Sequence, residues 1–403
     1  MVSERNSDGR LVLPTLILTV SSIDHPSLII NISLIEIALL FGVSVSLAGQ
    51  IQTITSIIGI AAALMMGVLS VRYDHKSLLM AGLFINLISS MCCAFAPSLS
   101  LLIVSFSALG LVSSLVTPMV FAYIGEFFTH EKRSRTIGTL AALRTLIYLI
   151  MVQLVGLVVD RWSWRQAFLF LVVPLASVGI VLTLKILPSI RVRNPKTGIT
   201  KYFEGYKSVI YFRSAVACLL GNTLAAAAWM GVVMYSVSFL RERFLLSRSH
   251  ASLIFSGIGV GVIIGNYVGG WLAVRYGRKN LAVLSALVLG ILIIGYMNMP
   301  SILYTIAIIP FLSLFGGVIL TAANSLTLEQ VPSFRGTMMS LNSAASQLGI
   351  ALGAGIGGLA LYLFNWGFVG LFLGVIELSS ACAYLIVSKD PNGLSASTKE
   401  EPD

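Results

Sequence analysis

The chain has 403 residues, of which 57% are hydrophobic and only 10% charged. A soluble domain carries about 25% charged residues, so this chain lacks the polar groups to cover a globule in water, and its solvent is lipid. The formal net charge of +10 does not point to nucleic acid, because the basic residues are scattered through short loops rather than gathered on one face.

Apolar runs long enough to cross a bilayer as helices, about 20 residues each, fall at 11–31, 48–70, 77–96, 99–124, 135–159 and 166–187. After a polar stretch they resume at 213–240, 250–274, 280–298, 301–327, 336–362 and 366–388. No run alternates with period two, which excludes a barrel. The organisation expected is an all-α membrane protein: an N-terminal six-helix bundle at 1–187, a cytoplasmic linker at 188–212, and a C-terminal six-helix bundle with a short tail at 213–403. The first run is long and lacks a small-residue cleavage site, so it reads as a retained helix. Cys92, Cys93, Cys218 and Cys382 all lie in apolar runs without metal or redox spacing, and read as unpaired thiols.

With the N-terminus inside, the cytoplasmic segments carry 19 Lys and Arg residues and the outer loops only 5. The positive-inside rule therefore places both termini in the cytoplasm.

Taken in chain order, the first polar interruption is "SSIDHPS". Asp24 and His25 lie 13 or so residues into the first run, roughly 20 Å deep at the usual rise. Pro26 leaves a helical carbonyl unpaired there and predicts a kink. An acid, an imidazole and a broken backbone at mid-depth suit proton coupling; the alternative is that the helix ends early and these groups face outer water. Arg144 lies about nine residues, roughly 14 Å, from the cytoplasmic end of the fifth run. It either binds an anionic group of a substrate or neutralises Asp24. Asn222, Trp229, Asn324, Asn342 and Gln347 are uncharged candidates for substrate binding, each with interhelical hydrogen bonding as the alternative. Glu377, central in the last run, reads as a structural hydrogen-bonding group. Glycines at 257, 261, 265 and 269, and again at 349, 353 and 357, form bare stripes. A weaker stripe runs through Gly59, Ala63 and Gly67. Such stripes let backbones approach, either as static packing or as a seam between the two halves.

Two phrases repeat 203 positions apart: "GVLSVRYDHK" from Gly67 and "GWLAVRYGRK" from Gly270. Glu126 and Glu329 keep the same offset, each followed by a basic residue, Arg133 and Arg335. The chain is therefore an internal repeat of six-helix units, with a central cavity expected near mid-depth.

These residues resemble the major facilitator superfamily. Its signature between helices 2 and 3 is matched by Gly270, Leu272, Arg275, Gly277, Arg278 and Lys279, and more weakly by Gly67, Leu69, Arg72 and Lys76. "WSWRQAFLFLVVP" resembles the family's start of helix 6, and "RGTMMSLNSAASQLGIALGAGIGG" resembles helix 11 of the sugar-efflux and drug-efflux branches. The resemblance implies twelve helices in two pseudo-symmetric bundles and a secondary active transporter of a small organic solute, by alternating access and proton-coupled export. It departs from the family where Val71 and Val274 replace the signature acid, in "MVQLVG" at helix 5 and in a helix 4 without arginine. The missing acid leaves Arg72 and Arg275 to pair with Glu126 and Glu329. A cytoplasmic gate of Arg72, Glu126 and Arg133 in one half and Arg275, Glu329 and Arg335 in the other is expected, the alternative being that these arginines only enforce the inside-positive rule.

No zinc-type or nucleotide-binding motif is present, so the reading is not an enzyme, with no metal and no cofactor. The expected partners are a small-molecule substrate, protons and the bilayer, with no nucleic acid and a monomeric chain in the plasma membrane. The alternatives are an uptake symporter or uniporter of the same fold, or a transport-inactive sensor or scaffold. Single cysteines introduced between residues 31 and 47 should react with an impermeant maleimide only from outside, and those at 190–205 only from inside; the reverse pattern would overturn this topology.

Overall fold

The structure, a computed structural model, describes residues 9–128, 130–189, 204, 206–331, 335–386 and 388. The expected linker and the C-terminal tail fall largely outside this set, as do the side chains of Val71, Arg133, Val274 and Arg335. Among the described residues, twelve helices are long and apolar enough to cross a membrane. Spans 1–6 are Leu11–Ile32, Val45–Met66, His75–Ala94, Leu99–Phe127, Gly138–Arg161 and Trp164–Ile186. Spans 7–12 are Arg213–Phe244, Arg248–Ala273, Arg278–Asn298, Ile302–Glu329, Thr337–Leu363 and Trp366–Ile386. The chain divides into two compact units, Met1–Ile199 with Arg248–Leu253, and Thr200–Ser247 with Ile254–Asp403.

In the first unit, span 3 packs against spans 4 and 6, and span 4 also contacts span 2. Span 1 is broken where its sequence demands it. One helix runs Gly9–Ser22 and a second restarts at His25–Ile32, with Pro26 in the restarting turn. Pro26 has no N–H for the Ser22 carbonyl, and Asn86 Nδ2 of span 3 donates to that oxygen instead, at 3.2 Å. Pro174 acts similarly in span 6, where the backbone widens into a π turn over Phe168–Val172 just before it.

In the second unit, span 12 packs along spans 7 and 9, and span 11 along span 7. The glycine stripes belong to packing inside this unit. Gly261, Gly265 and Gly269 of span 8 lie against Ser313, Leu314 and Val318 of span 10. Gly349, Gly353 and Gly357 of span 11 lie against Thr223, Ala227 and Tyr235 of span 7. The described part of the weaker stripe behaves alike, since Ser114 of span 4 donates to the Gly59 carbonyl of span 2 at 3.0 Å. The bare faces thus serve close helix approach within each unit, the packing reading of the stripes.

The repeated phrase has a structural role as well. Lys76 Nζ donates to the Leu184 carbonyl in the last turn of span 6, at 2.8 Å. Lys279 Nζ, 203 positions on, donates to the Ser388 carbonyl just past span 12, at 2.7 Å. Each lysine satisfies a helix-terminal carbonyl and meets the negative end of the helix dipole. The turn itself differs between copies. Asp74 caps span 3 by accepting from Ser77 N, and also accepts from Ser189. Burial is the largest single influence and opposes its charge, but the hydrogen bonds from Ser77 and Ser189 together outweigh it and hold its carboxyl below the ordinary value. At the equivalent position, Gly277 adopts φ 83°, which an L side chain rarely tolerates.

A Cβ added at Gly353 would overlap the Ala227 carbonyl oxygen, whereas one at Gly257 meets only Ile309, at 3.9 Å. Gly353→Ala should therefore lower the unfolding free energy by about 1–3 kcal/mol. Gly257→Ala should be neutral or stabilising by up to about 1 kcal/mol through helix propensity, and melting curves of the purified variants distinguish the two.

Candidate functional site

The break in span 1 sets the first cluster. Asp24 stands between the two helical segments as the N-cap of the second, and its side chain makes no capping hydrogen bond there. Arg144 of span 5 grips it with a two-pronged hydrogen bond, Nε to Oδ2 and a terminal nitrogen to Oδ1, each at 2.6 Å. The side chains keep 35% and 22% of their surface accessible, Arg144 and Asp24 respectively. Of the two readings of Arg144 from sequence, neutralisation of Asp24 is the one this conformation adopts. His25 beside it is fully buried, with neither ring nitrogen hydrogen-bonded.

The second cluster lies wholly in the second unit. A cavity of about 100 Å³ is walled by Trp229, Met230, Ile319, Leu320 and Ile350. Gly316 leaves the space that the Trp229 indole fills. Asn222, Asn324 and Ser346 bring polar groups to it. Asn342 stands behind, joined to both asparagines: Asn222 Nδ2 donates to its Oδ1, and its Nδ2 donates to Asn324 Oδ1 at 2.9 Å. Four of the five uncharged candidates are thus brought together. Gln347 does not line the cavity.

Sequence reading missed Thr327 and Tyr384, which complete this network. Asn222 Nδ2 also donates to Thr327 Oγ1 at 2.9 Å, and the Tyr384 hydroxyl donates to Asn222 Oδ1. A hydroxyl in an apolar helix carries no distinguishing sequence signal; only the seven-residue step from Glu377 to Tyr384 places both on one helix face. Glu377 is fully buried, receives a hydrogen bond from Ser380 at 3.4 Å, and leaves Oε2 without a partner. A further charged cluster missed from sequence joins Arg248 to Glu36 at 2.7 Å and to Asp160 at 2.8 Å.

The expected gate pairs are not formed as written. Arg72 ends its helix, the chain leaves extended at Tyr73, and the guanidinium lies over the Tyr73 ring at 6.0 Å rather than on Glu126. Arg275 lies over Trp271 and Tyr276, and Glu329 is paired with Arg278. The residue equivalent to Arg278 in the first copy is His75, whose imidazole feels the Glu126 charge. In the second half the acid therefore meets the first residue of span 9, three residues beyond the arginine expected from sequence. Arg133 and Arg335 lie outside the described side chains.

A sequence profile of the Major Facilitator Superfamily matches residues 15–244 and 218–402. The chain belongs to this superfamily. Among curated relatives, the gentisate transporter of Corynebacterium glutamicum is 24% identical over 86% of this chain and 80% of its own. Multidrug resistance protein 3 of Bacillus subtilis is 23% identical over 72% of this chain and 68% of its own. Among solved structures, a D-xylose–proton symporter superposes with a TM-score of 0.79 at 15% identity, over 95% of this chain and 98% of that one. This major facilitator is accordingly a multi-pass membrane transport protein and not an enzyme.

Within it, the Asp24–Arg144 pair makes a testable energetic claim. Removing one partner of a fully buried pair costs about 3–5 kcal/mol, and partial exposure of both reduces this to about 1–3 kcal/mol. Asp24→Ala should lower stability by that amount. The double variant Asp24→Ala with Arg144→Ala should recover part of the loss, because no charge is left unpaired; thermal unfolding of the three proteins checks the coupling.

Proposed function

We propose that the chain is a secondary active transporter that exports a small organic solute in exchange for protons by alternating access. The observation that carries this reading is the Asp24–Arg144 pair, an acid and a base held face to face inside membrane spans. A charge at such depth costs about 2.5–3.5 kcal/mol on insertion scales, and such groups usually serve ion or substrate pathways. A proton reaching Asp24 cancels the charge that Arg144 holds, so protonation and the Arg144 grip compete for the same carboxylate. Arg144, once released, is free to meet an anionic group of the solute. His25, adjacent and with both ring nitrogens free, is the group through which the proton is relayed.

The substrate site in this reading is the cavity of the second unit. Trp229 provides an apolar face, Asn324 contacts the solute, and Asn222 and Asn342 hold Asn324 in place. Gln347 is left as a candidate of the same helix outside the cavity. The charges Arg72, Glu126, Arg133, Arg275, Glu329 and Arg335 sit at span ends that the positive-inside rule assigns to the cytoplasm, and act there as a gate through Arg278–Glu329 and the Glu126 field on His75. Similarity to a multidrug resistance protein supports export of an organic solute, and similarity to a gentisate transporter supports a carboxylate among its substrates. The chain works as a monomer with both termini cytoplasmic, in the plasma membrane.

The test is transport by purified protein in liposomes, with gentisate and chloramphenicol as solutes, under an imposed pH gradient. One-for-one exchange should sustain about a tenfold concentration ratio per pH unit, since each tenfold corresponds to about 1.4 kcal/mol. Asp24→Asn should bring the ratio to unity while solute–solute exchange continues. Accumulation that persists in this variant would remove Asp24 from the coupling mechanism.

A further inference from the structure

The amide network of the second unit can be followed atom by atom, and it has only one consistent polarity. The Thr327 hydroxyl donates to the Ala323 carbonyl oxygen at 2.8 Å. A carbonyl only accepts, so the Thr327 proton is committed and its oxygen is left to accept. The group facing that oxygen must therefore be the Asn222 NH2, which sits 2.9 Å away. This orientation sends the second Asn222 hydrogen to Asn342 Oδ1 and turns Asn222 Oδ1 toward the Tyr384 hydroxyl. Asn222 then has both donors and its carbonyl engaged. Asn342, having accepted through oxygen, presents nitrogen to Asn324 Oδ1 at 2.9 Å. The Asn324 carbonyl is engaged in turn, and its NH2 makes no hydrogen bond within the network while the residue lines the cavity. Flipping any one amide would set N–H against N–H or oxygen against oxygen.

We propose that this cavity selects a ring-sized solute bearing a hydrogen-bond acceptor, such as a carbonyl, carboxylate or nitro group. Thr327 is the positioning residue that fixes the selectivity without touching the solute. The proposal rests on the cavity being the substrate site, as argued above. Its volume of about 100 Å³ is close to that of engineered cavities of about 150 Å³ that hold benzene. Besides Asn222, whose polar groups are engaged in the network, the polar lining is Asn324 and Ser346, whose hydroxyl turns to give or accept. The Asn324 group can only donate. A solute donor placed against it would leave two N–H groups facing each other without an acceptor. The cavity therefore discriminates by polarity as well as by size, through a chain that begins at a backbone carbonyl.

The experiment uses two probes of equal shape, 4-fluoroacetophenone and 4-fluoro-α-methylstyrene, in which a CH2 replaces the carbonyl oxygen. Their binding to the full-length protein in nanodiscs is followed by fluorine NMR, with empty nanodiscs as the partition reference. The ketone should bind about threefold to tenfold more tightly, the usual worth of one hydrogen bond. Asn324→Leu should abolish this preference while retaining the alkene. Thr327→Val should bring the preference close to unity although Asn324 is intact, and Thr327→Ser, which keeps the hydroxyl, should restore it. Trp229→Ala should weaken both probes together. If neither probe binds, or Trp229→Ala changes nothing, the substrate-site reading falls and the proposal with it. If both bind equally in the unaltered protein, the substrate site stands and the acceptor reading is overturned. A preference that survives Thr327→Val overturns the positioning role of Thr327.

Discussion

Inside a bilayer no water is available to a backbone carbonyl or a charged side chain, so each must find its partner within the protein. The first unit is organised by that requirement at one place. Pro26 cannot serve the Ser22 carbonyl, and the vacancy is filled by Asn86 from a neighbouring span. With its backbone satisfied, span 1 holds a joint between two helical segments at mid-span, and Asp24 stands at that joint. The carboxylate then needs a partner of its own, which Arg144 supplies with both prongs of its guanidinium. A bidentate grip of this kind is specific to arginine. One proline thus leads to an asparagine on span 3 and an arginine on span 5.

The two units answer common constraints with common parts and then diverge. Lys76 and Lys279 close the ends of spans 6 and 12 in the same way. Ser114 with Gly59, and Thr321 with Asn266, tie span 4 to span 2 and span 10 to span 8 through one hydroxyl each. The turn after spans 2 and 8 is where they part. The first copy uses an aspartate cap and a histidine near Glu126, and the second a positive-φ glycine and an arginine on Glu329. An arginine keeps its charge at every physiological pH, whereas an imidazole does not. The second unit therefore holds a charged acid–base pair near the turn, Arg278–Glu329, where the first has an imidazole.

Much of this was legible in the sequence, and the failures share a cause. Twelve spans follow from length and hydropathy, and the joint in span 1 from Pro26, because both are local properties. The identity of a helix's neighbour is not local. Small residues every fourth position announce close approach without naming the partner, and for the stripes of spans 8 and 11 only the structure names Ser313 and Ala227. The same limit left Arg144 with two roles. The gate acids were matched to Arg72 and Arg275, whereas Glu329 meets Arg278 and Arg72 lies over the Tyr73 ring. Three asparagines stood out in apolar spans, but Thr327 and Tyr384 did not, although they close the network.

The contrast between the units has an energetic logic. A charge pair is held only where part of its surface stays accessible, because the desolvation of two ions outweighs their attraction when burial is complete. Asp24 and Arg144 meet that condition. The second unit buries Asn222 and Asn342 almost fully, and amides tolerate this because each donor can be matched to an acceptor without any net charge. A matched amide chain also has a direction, set by whichever end meets a group that cannot reverse. Here that end is the Ala323 carbonyl, through Thr327. An ion pair responds to protons and to solute charge, whereas a directed amide chain is indifferent to both and responds to the polarity of what it touches. The Asp24–Arg144 pair belongs to the first unit and the directed amide chain to the second.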